Sequence, residues 1–215
     1  MLLTEDQKDA LTEFINIGFA RTATSLSELT GYRVMLEVPQ VSIHPISELA
    51  PKLGTFVQGE IATVQQIFTG PVSGNALLLL NYEGAVTLTD LLTPPGNPTH
   101  RLDASAAEVL TEVGNILLNA CLGMFGNLLQ IQISFSVPRL HLEALDGLLH
   151  SLVIGKEELR YAMVIYTAFH IRESAVDGYL VMVLGVASLD CLLQAIDRWA
   201  NVGVTASPLK QDTAG

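Results

Sequence analysis

Apolar residues recur at helical spacing in two long stretches of the chain and gather into shorter runs between them. Leu11, Phe14, Ile15, Phe19, Leu26 and Leu29 fall on one side of a helical wheel drawn from Glu5 to about Thr30. A period near 3.6 residues marks an amphipathic helix with one buried face. A second such helix is predicted from Ala104 to about Leu129. Thr4 and Asp103 stand where N-caps are needed, and Gly31 where the first helix must end. Runs rich in β-branched and apolar residues predict strands over Arg33–Val41, Gly59–Phe68 and Asn75–Leu80. Three more are predicted over Gln130–Val137, Tyr161–Ile171 and Gly178–Leu184. A shorter helix closes each set, from Gly84 to Leu92 and from Ser188 to Ala200.

The two sets resemble each other in sequence. Asp9-Ala10-Leu11-Thr12-Glu13-Phe14-Ile15-Asn16-Ile17 matches Glu108-Val109-Leu110-Thr111-Glu112-Val113-Gly114-Asn115-Ile116 at an offset of 99 (115 minus 16). Pro39 follows Asn16 by 23 positions, and Pro138 follows Asn115 by 23. Gly74–Leu80 and Gly178–Leu184 match at an offset of 104 (178 minus 74), as expected if a loop has grown by five residues. About 100 residues with one long helix on one sheet would leave an apolar edge, and two copies sharing a core remove it. The expected fold is a single α+β domain over residues 1–204, with an internal pseudo-twofold repeat and long helices packed on a β-sheet. Repeat one covers about 5–92 and repeat two about 103–200. A Pro- and Gly-bearing linker occupies 93–102, and 205–215 reads as a flexible tail.

Composition narrows the function. Of 215 residues, 49% are apolar and 15% charged, enough to build a sizeable core. The net charge of −11 argues against nucleic acid and against an anionic membrane surface, while a basic patch on a partner protein fits it. Of the two longest apolar stretches, Tyr179–Leu189 is shorter than the ~20 residues a bilayer needs, and Ile116–Leu129 contains Asn119 and Asn127. The N-terminus lacks a basic segment followed by a long apolar one, so a cytoplasmic, soluble protein is expected. Cys121 and Cys191 sit in apolar surroundings and read as buried free thiols rather than a disulfide. His44, His100, His141, His150 and His170 are dispersed, and no metal site is expected in this chain. Neither a P-loop nor a Gly-x-Gly-x-x-Gly fingerprint is present, and no Ser lies in a nucleophile-elbow context.

Chemistry enters on the polar faces of the long helices. With Asp9 at zero, Glu13 falls at about 40° and Asn16 at about −20°. The second helix displays Glu108, Glu112, Asn115 and Asn119 in the same way. Residues three apart are neighbours on a helix, so each Glu-Asn pair can touch one ligand. A single exposed Glu reads as ordinary solvated surface. Asn is less easily dismissed, because its amide competes with helix backbone bonding. Duplication alone would also preserve the pattern by descent, so both readings stand at this point.

Asp or Ser, three residues, Glu, two residues, Asn, twenty-two residues, Pro is a pattern that resembles the signature of the CheC/CheX/FliY family of chemotaxis phosphatases. Asp9, Glu13, Asn16 and Pro39 fit it fully. Glu112, Asn115 and Pro138 fit it too, with Glu108 where Asp or Ser is usual. Gly114 precedes Asn115, as is common in the family, whereas Ile15 precedes Asn16. The resemblance spans roughly residues 5–200. It implies a CheC-like fold and a phosphatase that hydrolyses the aspartyl phosphate of a CheY-like response regulator. Asn16 and Asn115 would position the attacking water. Glu13 and Glu112 would pair with the regulator's lysine, and Asp9 and Glu108 would extend the docking face. No cofactor is implied in this chain, since Mg2+ is supplied by the regulator. Pro39 and Pro138 are expected to fix the chain where a strand ends. The competing reading is a non-catalytic binding module that partners a CheD-like receptor deamidase.

Overall fold

The structure is a computed structural model and describes residues 3–54, 59–92, 101–144, 147–148, 159–171 and 174–205. Helix α1 runs Glu5–Thr30 and α4 runs Ala104–Leu129. Between them lie strands β1 (Val34–Leu36), β2 (Gln40–Pro45), β3 (Glu60–Thr69) and β4 (Gly74–Asn81), with the short helix α2 (Leu49–Leu53) and α3 (Tyr82–Leu92). After α4 come β5 (Ser134–Phe135), β6 (Arg139–Ala144), β7 (Leu159–Ile171), β8 (Ser174–Gly185) and α5 (Val186–Thr205).

Local chemistry sets the ends of the long helices. Thr4 and Gln7 form a reciprocal capping box, each side chain bonded to the other's backbone N–H at 3.1 Å. Gly31 closes α1 at φ 69°, a left-handed conformation that costs glycine little. Asp103 caps α4 by accepting from the Ala106 N–H. Gln130 ends it with a positive φ of 55°.

All eight strands join one antiparallel sheet in the order β1-β7-β8-β4-β3-β5, with β2 also on β7 and β6 also on β3. The two halves of the chain therefore interleave. The first half's β1 and β2 lie on the second half's β7, and β5 and β6 lie on the first half's β3. At the centre Leu77 of β4 faces Val181 of β8, flanked by Ala76 with Met182 and Leu78 with Leu180. Leu77 and Val181 are 104 positions apart, the offset that separates the Gly74 and Gly178 runs.

One face of the sheet carries the main core. Leu11, Ile15 and Phe19 of α1 and Leu110, Leu117 and Leu118 of α4 pack there on Val64, Leu78, Ile165 and Leu180. The opposite face carries a smaller cluster of Leu49, Leu53, Ile61, Leu77, Leu79, Val181 and Val183. Covering on both faces explains why Leu77–Leu80 read as an unbroken apolar run. Helix α4 is long and apolar enough by composition to cross a membrane, but half of that stretch is buried inside this fold.

Several expected boundaries move. The single strand expected over Arg33–Val41 is two, broken at residues 37–39, and the one over Gln130–Val137 shrinks to Ser134–Phe135. Pro39 and Pro138 sit immediately ahead of β2 and β6 rather than where a strand ends. Proline has no N–H to give a ladder, so each break falls where pairing passes from one stretch of the partner strand to the next. Cys121 is buried as expected, but Cys191 is exposed on α5; both thiols are free. Most of the expected linker and tail, 93–100 and 206–215, lies outside the described residues.

Candidate functional site

Helices α1 and α4 pack side by side. The Phe14 and Phe125 rings lie 5.9 Å apart, and Gly18 faces Met124 so closely that a Cβ there would fall on its sulfur. Asn16 lies roughly half a turn around α1 from Phe14 and Gly18, and Asn115 half a turn around α4 from Met124. Asn16 thus lies on the side of α1 away from Phe14 and Gly18, while Asn115 lies opposite Met124 but only about 80° around α4 from Phe125. The two motifs stand on separate helices, Glu13 and Asn16 on α1 and Glu112 and Asn115 on α4. Among the described residues no three His, Cys, Asp or Glu side chains gather into a metal-binding group.

Asp9, Glu13, Glu108 and Glu112 are exposed. Asn16 and Asn115 are half-buried, not turned fully to solvent as the wheel suggested. Their amides stand at the border between the apolar and polar faces, where one side of each can be fixed by protein and the other offered to a ligand.

The long gap from Asn to Pro has a simple geometry. The Val34 N–H donates to Ser27 Oγ at 2.9 Å, so β1 starts beside the last turns of α1. From Val34 the chain returns along the helix. Five extended residues to Pro39 cover about 16 Å, and eleven helical residues from Ser27 back to Asn16 cover about the same. By this count Pro39 returns toward the first half of α1, and it lines a groove with Lys8 and Thr12. In the second half the Ile131 N–H donates to the Gly126 carbonyl at 3.0 Å, and the Ile133 side chain lies near the Gly126 Cα. The same spacing of 23 positions separates Asn115 from Pro138. Pro39 is buried, and the residue ahead of each proline is exposed: Val38 at 66% and Val137 at 82%.

Two residues that the sequence reading missed hold these returning segments. Thr167 Oγ1 donates to the Glu37 carbonyl, and Gln66 Nε2 donates to the Ser136 carbonyl, each at 3.0 Å. Both carbonyls lie two residues before a signature proline. The available signal was a polar residue inside an apolar strand, since Gln66 and Thr167 are at most 2% exposed.

The sites differ in detail. In α4 Asn119 Nδ2 donates to Asn115 Oδ1 at 2.7 Å. The matching place in α1, one turn beyond Asn16, is Ala20. Gly114 is buried where a Cβ would come within 2.6 Å of Val64, so α4 rests directly on β3 at that point. Ile15, at the matching place in α1, is fully buried in the core. A groove of about 730 Å³ borders the first site, lined by Lys8, Thr12 and Pro39 on one side and by Lys52, Tyr166 and Asp177 on the other. There the Tyr166 hydroxyl donates to Asp177 at 2.7 Å, which pushes the tyrosine up to about 12.

The CheC-like family matches over residues 7–43, the stretch that holds Asp9, Glu13, Asn16 and Pro39. The CheY-P phosphatase CheC of Bacillus subtilis is 26% identical over 184 residues, covering 80% of this chain and 85% of that protein. The flagellar motor switch phosphatase FliY of the same organism is 27% identical over 144 residues, which are 65% of this chain and 36% of FliY. Among solved structures, FliY of Thermotoga maritima superposes with a TM-score of 0.73 at 21% identity, covering 92% of this chain and 99% of that one. The middle domain of FliM from Helicobacter pylori follows the same fold with a TM-score of 0.64 at 9% identity, covering 90% and 99%. By motif, by similarity along most of its length and by fold, the chain resembles the CheC-like family, as its two Glu-x-x-Asn helices suggested.

Proposed function

We propose that this chain is a cytoplasmic chemotaxis phosphatase that hydrolyses the aspartyl phosphate of a CheY-like response regulator. The observation that carries the reading is the doubled arrangement on α1 and α4, an exposed Glu one turn from a half-buried Asn. The relatives named as phosphatases of CheY-P or of the motor switch support it. An aspartyl phosphate is an acyl phosphate and already labile. The regulator brings its own Mg2+ and lysine to meet the developing charge, so what remains is to hold a water in line with the breaking bond. A neutral amide suits that task. Its oxygen accepts from the water, its NH2 donates to a phosphoryl oxygen, and it carries no charge to repel the phosphate. Asn16 and Asn115 hold the water in this scheme. Glu13 and Glu112 pair with the regulator's lysine and set the register of docking, with Asp9 and Glu108 extending the acidic face.

The test is phosphate release from B. subtilis CheY phosphorylated by a small-molecule donor, with and without this chain. Catalytic shortening of the phosphoprotein's lifetime is expected. Binding with no change in lifetime would point instead to a non-catalytic regulatory module, the role in which a CheD-like deamidase is the partner to try.

A further inference from the structure

We infer that Asn119 is a positioning residue for Asn115, holding its amide in place for the attacking water. The inference rests on the proposed phosphatase reading. Its structural basis is the 2.7 Å bond from Asn119 Nδ2 to Asn115 Oδ1 within the half-buried flank of α4. The two ends of an Asn amide have nearly the same shape, and rotation about its last torsion exchanges them. The hydrogen bond to Asn119 restrains that rotation. It occupies one lone pair of Oδ1 and leaves the other for the water, with Asn115 Nδ2 left to donate to a phosphoryl oxygen.

A second observation separates this role from packing. Asn119 Oδ1 is buried and has no hydrogen-bond partner among the described residues. An orphaned buried acceptor is unfavourable to the fold. The positions three away on its side of α4 are Ile116 and Leu122, so an apolar residue would serve α4 better at 119. Among the described residues its side chain hydrogen-bonds to Asn115 alone. Helix α1 has Ala20 at the matching place and offers Asn16 no such donor.

The test uses the full chain with Asn16→Ala as parent, so that the second site alone turns over phosphorylated B. subtilis CheY. Asn119→Leu is the main variant. It should lower kcat about tenfold, as a loosened catalytic geometry does, leave KM unchanged, and melt at or above the parent's temperature. Asn119→Asp keeps the size and the acceptor but loses the donor, and should lower kcat as well. Asn119→Leu with the parent's kcat overturns the inference, as does a kcat that falls only in step with the melting temperature. If the wild type is active and the Asn16→Ala parent is not, Asn115 carries no rate and the role of Asn119 fails alone. If the wild type has no turnover, the proposed function fails with it.

Discussion

Asn119 lies one turn beyond Asn115 on α4 and donates to its side-chain oxygen at 2.7 Å, whereas Ala20 occupies the corresponding place beyond Asn16 on α1. Two helices with the same Glu-x-x-Asn spacing thus present amides in different states of constraint. Catalysis by placement rewards a held geometry and penalises a loose one. The second site should therefore be the faster.

Single variants assayed side by side measure that inequality. Asn115→Ala should cost more of the phosphatase rate than Asn16→Ala, and the double variant should abolish it. Both side chains are half-buried at a helix flank, so each change should move unfolding free energy by no more than about 1 kcal/mol. Retained turnover in the double variant, with an unchanged melting curve, would remove both asparagines from the chemistry.

Charge reversal probes docking separately. Glu13 and Glu112 are exposed, and the fold should tolerate lysine at either place. Glu13→Lys with Glu112→Lys should weaken binding of the phosphorylated regulator, and more strongly at low salt than at high salt. Titration at several ionic strengths reads this directly. Equal affinity at every salt concentration would take the glutamates out of the interface.

Gly114 provides a test that links packing to rate. An added Cβ would stand 2.6 Å from a methyl of Val64, a β-branched side chain with little freedom to move. Gly114→Ala should destabilise the protein by about 1–3 kcal/mol and slow the second site by shifting α4 away from β3. Urea unfolding measures the first effect and phosphate release in an Asn16→Ala background the second. Pairing with Val64→Ala should recover part of both losses.

Thr167 and Gln66 hold the backbone ahead of Pro39 and Pro138 from below. Thr167→Val leaves the Glu37 carbonyl without that donor and should cost about 1–2 kcal/mol. Its effect on rate should appear only when Asn115 is replaced, since the segment it holds serves the first site. An equal effect in both backgrounds would show that the loss is general instability.

Sequence periodicity located α1 and α4 closely because their caps are local chemistry: Thr4 with Gln7, Asp103 with the Ala106 N–H, Gly31 in a left-handed turn. The edge strands were harder. β6 was not expected at all: Arg139–Ala144 alternates polar and apolar residues but holds no β-branched or aromatic residue. β1 and β2 merged into one expectation because both are short and their partner, β7, lies in the other half of the chain. At the site, spacing identified which residues share a helix face but not how deep each sits. The half-burial of Asn16 and Asn115 is a tertiary property that spacing does not record, and Gln66 and Thr167 act through backbone carbonyls that no motif records.

The exchange of edge strands between the halves governs how the chain can fold. Val34 pairs with Ile171, 137 positions on (171 minus 34), and Glu60 with Ala144, 84 positions on. Neither half can complete its own sheet, because β7 lacks its outer neighbours until β1 and β2 are present, and β3 lacks its own until β5 and β6 arrive. Such distant pairings must close large loops before they are rewarded, which slows folding. During synthesis the first half emerges with the free edge of β3 exposed and no internal strand to cover it. A fragment ending at Leu92 is therefore an aggregation-prone open sheet. Supplied in trans with a fragment beginning at Arg101, it should regain structure by reassembly, with the two pieces interlocked in a single sheet.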